Sequence, residues 1–319
     1  MSKTTIVVAI GGTWDVPPWQ DEFARGARGR RVVFWPQDGV TDIPEPYVLC
    51  SWKAKPEAYD IFNKPRAVFS LGAGVDHLYA VREKLNAPVT RVINTDLTMR
   101  MVEYVCLGVL YLHRQIGLHA ANQAKRLWPD ITQPAAKDVR VGIMGPGQLG
   151  TAAGKALQAI GYDVAGWGRS ARADAPFPIF AGPENLHAFL ARTQVLVNIL
   201  PNTPDTKGSV GAEVFAKLAR MDGQSGAYFI SAGRGETVNE TELAQALQTG
   251  VLAGAVLDVF NTEPLPQDSP LWGMPNVLIT PHAAADSSPP AIVAQVLETL
   301  ERLERGEPLP VTVDLSKGY

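Results

Sequence analysis

The sequence predicts an α/β protein: two Rossmann-like, doubly wound parallel-sheet domains around a cleft. Three observations carry that prediction. Short apolar segments alternate with helix-like segments in two tandem series, the pattern of βαβ units in a parallel sheet covered on both faces. A glycine loop at residues 145–150 follows a buried-strand pattern and opens a helix pattern. One proline-free, apolar-periodic stretch, residues 99–121, separates the two series.

In the first series, residues 5–10, 31–35, 47–51, 67–71 and 89–94 read as short buried strands. Polar or proline-rich stretches with room for helices lie between them. Residues 99–121 read as one helix that bridges into a second domain, and 125–137 as a proline-containing connector. The second series has strands at 139–144, 163–167, 195–200, 227–231, 253–257 and 277–279. Its helices fall at 149–160, 183–192, 212–219 and 240–248, and an amphipathic helix at 291–305 ends the pattern. The domains expected from this are 1–98 with 285–319, and 99–284.

Composition narrows the functional classes. A chain of 319 residues is long enough for two domains with a large core. The formal net charge is −3 and no strongly basic stretch exists, which argues against a nucleic-acid partner. No apolar run reaches the length of a membrane helix. The N-terminal run Ile6-Val7-Val8-Ala9-Ile10 is strand-length and lacks a signal-peptide cleavage site. The two cysteines, Cys50 and Cys106, lie in apolar stretches and read as buried thiols in a reducing compartment. A cytoplasmic protein without a metal centre or a membrane partner is expected.

The loop Gly145-Pro146-Gly147-Gln148-Leu149-Gly150 has the spacing of a dinucleotide fingerprint in the right context. Gly145 permits the tight turn, Gly147 lets backbone approach a pyrophosphate, and Gly150 lets the helix lie close to the strand. The helix start supplies free N–H groups and partial positive charge. In a NAD-binding domain an acidic residue ends the second strand and holds the ribose hydroxyls. Here the strand runs into Trp167-Gly168-Arg169-Ser170-Ala171-Arg172, with no acid at that place. Arg169, Ser170 and Arg172 suit a 2′-phosphate, so NADP(H) is preferred, with NAD(H) as the alternative. A solvated basic loop would account for the arginines but not for the missing acid.

Three later segments begin at predicted strand ends, where a parallel sheet presents its ligand loops. They are Ser231-Ala232-Gly233-Arg234-Gly235, the run from Leu257-Asp258 to Glu263-Pro264, and Ile279-Thr280-Pro281-His282-Ala283-Ala284. His282 can donate the proton that a developing alkoxide needs. Glu263 would orient His282 and stabilise its charged form. Arg234 can hold a carboxylate and polarise a carbonyl. Asp258 could accept from a nicotinamide carboxamide. Taken singly, each has a structural explanation: a capping histidine, a surface ion pair, a turn before proline, a helix cap. Their ordered recurrence after a fingerprint loop is what argues for chemistry.

With these segments in view, the sequence resembles the D-isomer-specific 2-hydroxyacid dehydrogenase family over nearly its whole length, closest to the glyoxylate/hydroxypyruvate reductase A group. The likeness is carried by Phe69-Ser70-Leu71-Gly72-Ala73-Gly74-Val75-Asp76-His77, the GPGQLG loop, Leu200-Pro201-Asn202-Thr203-Pro204-Asp205-Thr206, and the AGRG, DVFNTEPL and TPHAA runs. It implies an Arg234/Glu263/His282 catalytic set, further cofactor contacts at Leu200, Pro201, Thr206, Ala232 and Ala284, and a homodimer. It also implies that Gly72, Ala73 and Gly74 bind the substrate carboxylate through backbone N–H groups, as an anion nest would. Trp52, just after a strand, is either a cover for the substrate or a core residue. The run 94–101 lacks the glycine usual in the family, so no substrate contact is assigned to it. The reaction implied is NADPH-dependent reduction of glyoxylate to glycolate and of hydroxypyruvate to D-glycerate. Larger 2-oxo acids such as phenylpyruvate are the rival substrates. A nucleotide-sensing corepressor of the same fold is the rival class.

Overall fold

Each strand series builds its own all-parallel sheet. The structure, a computed structural model, describes residues 3–12, 14–221, 223, 225–286, 288–310 and 312–315. The chain divides into two units, Met1–Leu97 with Ser287–Tyr319, and Thr98–Asp286.

The first unit carries β1 (Thr5–Ile10), α1 (Pro17–Gly26), β2 (Val32–Trp35), β3 (Tyr47–Trp52), α2 (Glu57–Ile61), β4 (Val68–Ser70), α3 (Asp76–Tyr79) and β5 (Val89–Arg91). Its sheet runs β2-β1-β3-β4-β5, so the winding reverses between β1 and β3. One face is covered by α1 and the terminal helix Pro289–Glu304, around Trp19, Phe23, Ile292 and Val296. The other face is closed by Tyr59, Phe62 and Leu78. Glu304 clamps the terminal helix back onto the start of the chain. It takes the buried guanidinium of Arg30 at 2.7 Å and the Thr4 N–H at 3.2 Å.

The second unit is entered along α4 (Thr95–His113). It continues through α5 (Ile116–Ala124), β6 (Arg140–Met144), α6 (Gln148–Ile160), β7 (Asp163–Gly168), β8 (Ile179–Ala181), α7 (Leu186–Arg192), β9 (Val195–Asn198), α8 (Ala212–Ala216), β10 (Ala227–Ser231), α9 (Glu240–Gln248), β11 (Leu252–Leu257) and β12 (Val277–Ile279). The sheet order is β12-β11-β10-β9-β6-β7-β8. Every residue of β9 and β10 is buried, as expected of strands with helices on both faces. The winding reverses between β6 and β9, the place where open α/β sheets bind ligands outside their carboxyl ends.

Two local expectations are corrected. The single helix expected over 99–121 is two helices. Gln115, at φ +51°, breaks it. The break is held from outside the helix: the Gln133 side-chain amide donates to the Arg114 carbonyl at 2.7 Å and accepts from Arg114 Nε at 2.6 Å. A partner that far along the chain leaves no trace in the local periodicity. The strand β8 was not expected either. It is three residues long and lies just after Pro176 and Pro178, which break any alternation.

Just before the break, His113 is buried. Its Nδ1 lies 2.7 Å from the Tyr162 hydroxyl and its Nε2 2.9 Å from the Pro134 carbonyl. Burial pushes its pKa below the ordinary histidine value. The unfolded chain therefore takes up this proton more readily than the folded one. The resulting stability is full above about pH 6.5 and is lost as the pH falls through the lowered value. Melting temperatures at pH 7.5 and 5.5 check this. The drop should be larger in wild type than in His113→Asn by a few degrees, and equal drops would refute it.

Candidate active site

The glycine loop leaves the carboxyl end of β6, at the switch point. Gly145 sits at φ +90°, and a Cβ there would lie 2.7 Å from the Ile199 carbonyl oxygen. A Cβ on Gly150 would lie 2.5 Å from the Gly145 oxygen, so this position lets α6 start against its own turn. Gly147, the N-cap of α6, is different: a Cβ there would meet nothing within 4 Å. The loop is thus closed on the protein side and open on the other, with the helix N-terminus beneath it. A dinucleotide pyrophosphate fits that cradle.

Arg169 and Ser170 follow the end of β7 and are exposed. Arg172 does more than add charge. Its Nη1 donates to the Pro146 carbonyl at 2.7 Å and to Thr151 Oγ1 at 3.2 Å. The basic turn is therefore tied to the glycine loop, a link that the sequence reading missed.

On the other side of β6, Leu200 is buried after β9, and its N–H donates to Asn198 Oδ1 at 3.3 Å. Pro201 and Thr206 are joined: the Thr206 hydroxyl donates to the Pro201 carbonyl at 2.5 Å, which curls the loop on itself. Ala232 is buried after β10, its N–H on the Asn198 carbonyl.

Three adjacent strands, β10, β11 and β12, deliver Arg234, Glu263 and His282 in that order. Arg234 is half-buried, with Nη1 on the Gly233 carbonyl at 2.8 Å. Its own carbonyl accepts from Thr237 Oγ1 at 2.7 Å, and Thr237 in turn accepts from Asn198 at 2.8 Å. Glu263 and His282 meet directly, Oε2 to Nδ1 at 2.7 Å. The other oxygen, Oε1, takes the Phe260 N–H at 3.1 Å, which fixes the carboxylate plane. With Nδ1 engaged, Nε2 is the imidazole nitrogen left to face a substrate. Such a pair can hold and deliver a proton at a defined atom.

Asp258 is 1% exposed, and its carboxylate accepts from Thr280 Oγ1, Ala283 N and Ala284 N. These bonds leave lone-pair capacity on Oδ2 for one further donor. Ala284 is buried directly behind this turn.

In the first unit, Gly72, Ala73 and Gly74 follow β4 in a turn whose carbonyls are all engaged. Ser70 Oγ donates to Gly72 O at 3.1 Å and Gly74 O at 2.8 Å, and Arg91 reaches Ala73 O at 3.4 Å. The N–H groups of Gly72 to Val75 donate to no acceptor among the described residues. That polarity, carbonyls tied back and N–H groups unspent, is what an anion nest needs. Trp52 packs against Gly72, where a Cβ would be 2.6 Å from its ring. Trp14 stacks on Trp52 at 4.5 Å and on Trp19 at 5.0 Å, and His77 meets the Trp52 ring edge-on at 4.9 Å. The sequence reading singled out Trp52 but not its support, because Trp14 is 38 residues away.

Residues 107–284 match the family model described as D-isomer specific 2-hydroxyacid dehydrogenase, NAD binding domain. Glyoxylate/hydroxypyruvate reductase A of Salmonella newport (strain SL254) is 40% identical over 263 residues, 80% of this chain and 82% of that protein. Among solved structures, the NADPH-dependent glyoxylate/hydroxypyruvate reductase of Sinorhizobium meliloti, in complex with NADP and sulfate, has a TM-score of 0.93 at 38% identity. The match covers 99% of this chain and 100% of that one. A probable 2-hydroxyacid dehydrogenase from Rhizobium etli CFN 42, in complex with NADP, HEPES and L(+)-tartaric acid, has the same TM-score at 36% identity and the same coverage.

The second and third glycines of the loop should separate experimentally. Gly150→Ala forces a Cβ into backbone and should lower the melting temperature, since overpacking costs about 1–3 kcal/mol. Gly147→Ala meets no protein atom, so its melting temperature should hold while dinucleotide affinity falls by about tenfold or more. Thermal melts and fluorescence titration of the dinucleotide check both. Loss of stability in Gly147→Ala, or unchanged affinity, would overturn the assignment.

Proposed function

The chain belongs to the D-isomer specific 2-hydroxyacid dehydrogenase family, and we propose that it is an NADPH-dependent glyoxylate and hydroxypyruvate reductase. The observation that carries this reading is the Glu263–His282 pair, formed after β11 and β12 in the sheet whose next strand, β10, leads to Arg234 and which also bears the dinucleotide loop. Two of the relatives described above are glyoxylate/hydroxypyruvate reductases and the third a probable 2-hydroxyacid dehydrogenase, and both solved structures are in complex with NADP.

In this reading the second unit holds the cofactor. Gly145, Gly147, Gln148, Leu149 and Gly150 take the pyrophosphate. Arg169, Ser170 and Arg172 take the 2′-phosphate. Leu200, Pro201, Thr206, Ala232 and Ala284 line the rest, and Asp258 accepts from the carboxamide. The bound nicotinamide supplies the hydride. The first unit binds the substrate's carboxylate at the N–H groups of Gly72, Ala73 and Gly74, under Trp52. Arg234 polarises the carbonyl, and its fixed positive charge makes it a donor at any working pH. His282 delivers a proton from Nε2 to the developing alkoxide, and Glu263 keeps the ring in the orientation and tautomer that does so. Trp52, backed by Trp14, excludes water from above the turn.

A cytoplasmic homodimer completes the proposal. It rests on the family likeness and is supported by large apolar side chains exposed on the second unit: Leu107, Ile116, Leu118, Leu127 and the fully exposed Trp128. Large apolar side chains left exposed in number are what a protein contact would cover.

Two outcomes test the chemistry. His282→Ala should lower turnover with glyoxylate and hydroxypyruvate by about a hundredfold or more, the usual loss for a general acid. Near-wild-type rates would refute the assignment. Arg169→Ala should remove most of the preference for NADPH while leaving the NADH rate nearly unchanged. One charge-assisted contact made only with the 2′-phosphate corresponds to about tenfold at an exposed rim. The ratio of kcat/KM with the two cofactors, at fixed low salt, decides it. An Arg169→Ala enzyme with wild-type preference would show that the turn does not read the phosphate.

A further inference from the structure

His282 stands at φ +55°, a left-handed backbone conformation that a residue other than glycine keeps only where its surroundings impose it. Glu263 holds the ring, but ring contacts do not set the backbone. The backbone is held by Asp258 and by what Asp258 binds. Its carbonyl takes the His282 N–H at 2.9 Å. Its buried carboxylate takes the next two N–H groups, Ala283 at 2.8 Å on Oδ1 and Ala284 at 3.0 Å on Oδ2. Oδ1 also accepts from the Thr280 hydroxyl at 2.6 Å.

The chain of bonds does not stop there. Thr280 Oγ1 lies 2.6 Å from the Tyr104 hydroxyl on α4. Because the threonine proton is committed to the carboxylate, the tyrosine must be the donor of this second bond. The direction is therefore fixed from Tyr104 to Thr280 to Asp258. Tyr104 is half-buried and packs against the core beneath the sheet. Its ring is anchored there, so the hydroxyl is a fixed point from which the His282 turn is hung. Bonds in such a row polarise one another, so removing the first weakens the grip of the last.

We propose that Tyr104 and Thr280 are positioning residues for His282: through Asp258 they hold the left-handed turn that aims the imidazole. The inference rests on the reading of His282 as the proton donor. The variants Tyr104→Phe, Thr280→Val and Thr280→Ser, made in the full chain, test it with two readouts. The first is kcat and KM for glyoxylate with NADPH. Loss of one hydrogen bond should lower kcat by about three- to tenfold in Tyr104→Phe and about tenfold or more in Thr280→Val. KM for the 2-oxo acid should stay within about twofold, because the lost bonds touch no substrate. Thr280→Ser, which restores the hydroxyl, should recover most of kcat. The second readout is hydrogen exchange at the amides of Ala283 and Ala284. Exchange should speed up in the Phe and Val variants and not in the Ser variant, with the core amides of β10 and β11 unchanged.

Unchanged exchange in Tyr104→Phe and Thr280→Val would show that Asp258 alone holds the turn and would overturn the proposal. Faster exchange with full kcat would also overturn it, since the turn would then not govern the chemistry. Equal loss in Thr280→Ser and Thr280→Val would show that the hydroxyl alone does not hold the turn and would overturn the proposal. If Thr280→Val does not fold, the Phe and Ser variants still decide. A wild type that reduces no 2-oxo acid would defeat the activity reading, and the exchange measurement would then judge the hydrogen-bond chain alone.

Discussion

A parallel sheet with helices on both faces leaves its strands no room for polar side chains except at their ends. The second unit obeys this constraint closely, and its chemistry is arranged by it. Asn198, Ser231 and Asp258 stand at or just past the ends of β9, β10 and β11, and all three are at most 1% exposed. Each is hydrogen-bonded, as a buried polar group must be to avoid a large desolvation cost. Asn198 steadies the carbonyl of Arg234 through Thr237, and Asp258 steadies the turn of His282. The residues proposed to do the chemistry, Arg234, Glu263 and His282, are partly exposed, and the residues that hold their backbone are buried one layer below. Rigid aim and solvent access are thus divided between neighbouring positions.

That division explains what could be read from the sequence. The glycines at 145 and 150 were legible because each answers a backbone demand that only glycine meets at low cost, and Gly147 because its spacing marks the open side of the loop. Arg234, Glu263 and His282 were legible because a strand, a loop and a reactive side chain recur three times in order. The aiming layer was much less so. Tyr104 looks like one more aromatic residue on an apolar-periodic helix, and Thr280 like a residue before a proline. Only folding brings them within 2.6 Å of each other, across 176 positions of chain. The break at Gln115 and the support of Trp52 by Trp14 were hidden for the same reason: each depends on a partner that local pattern does not reveal.

The first unit solves its own version of the problem with aromatic stacking. The turn at Gly72 is held from below by the Ser70 hydroxyl and flanked above by a stack of Trp14, Trp19 and Trp52. Near-parallel rings of this size bury much apolar area and have few rotamers to explore. The stack is therefore a stiff wall rather than a mobile flap, and its inner member, Trp19, is rooted in the core at 3% exposure.

The bond from Arg172 to the Pro146 carbonyl has a consequence for anyone who would re-engineer this protein. Cofactor choice is commonly treated as a separable module: exchange the turn after the second strand and leave the glycine loop alone. Here the two are braced by one guanidinium, which also reaches Thr151 in the first turn of α6. A swap that installs an acidic residue at 168 or 169 for NADH and discards Arg172 with the rest of the turn removes that brace. The new binding site would then be designed against a loop whose shape had changed. A redesign that keeps Arg172, or replaces its two hydrogen bonds with another donor, works on a loop that stays where it was.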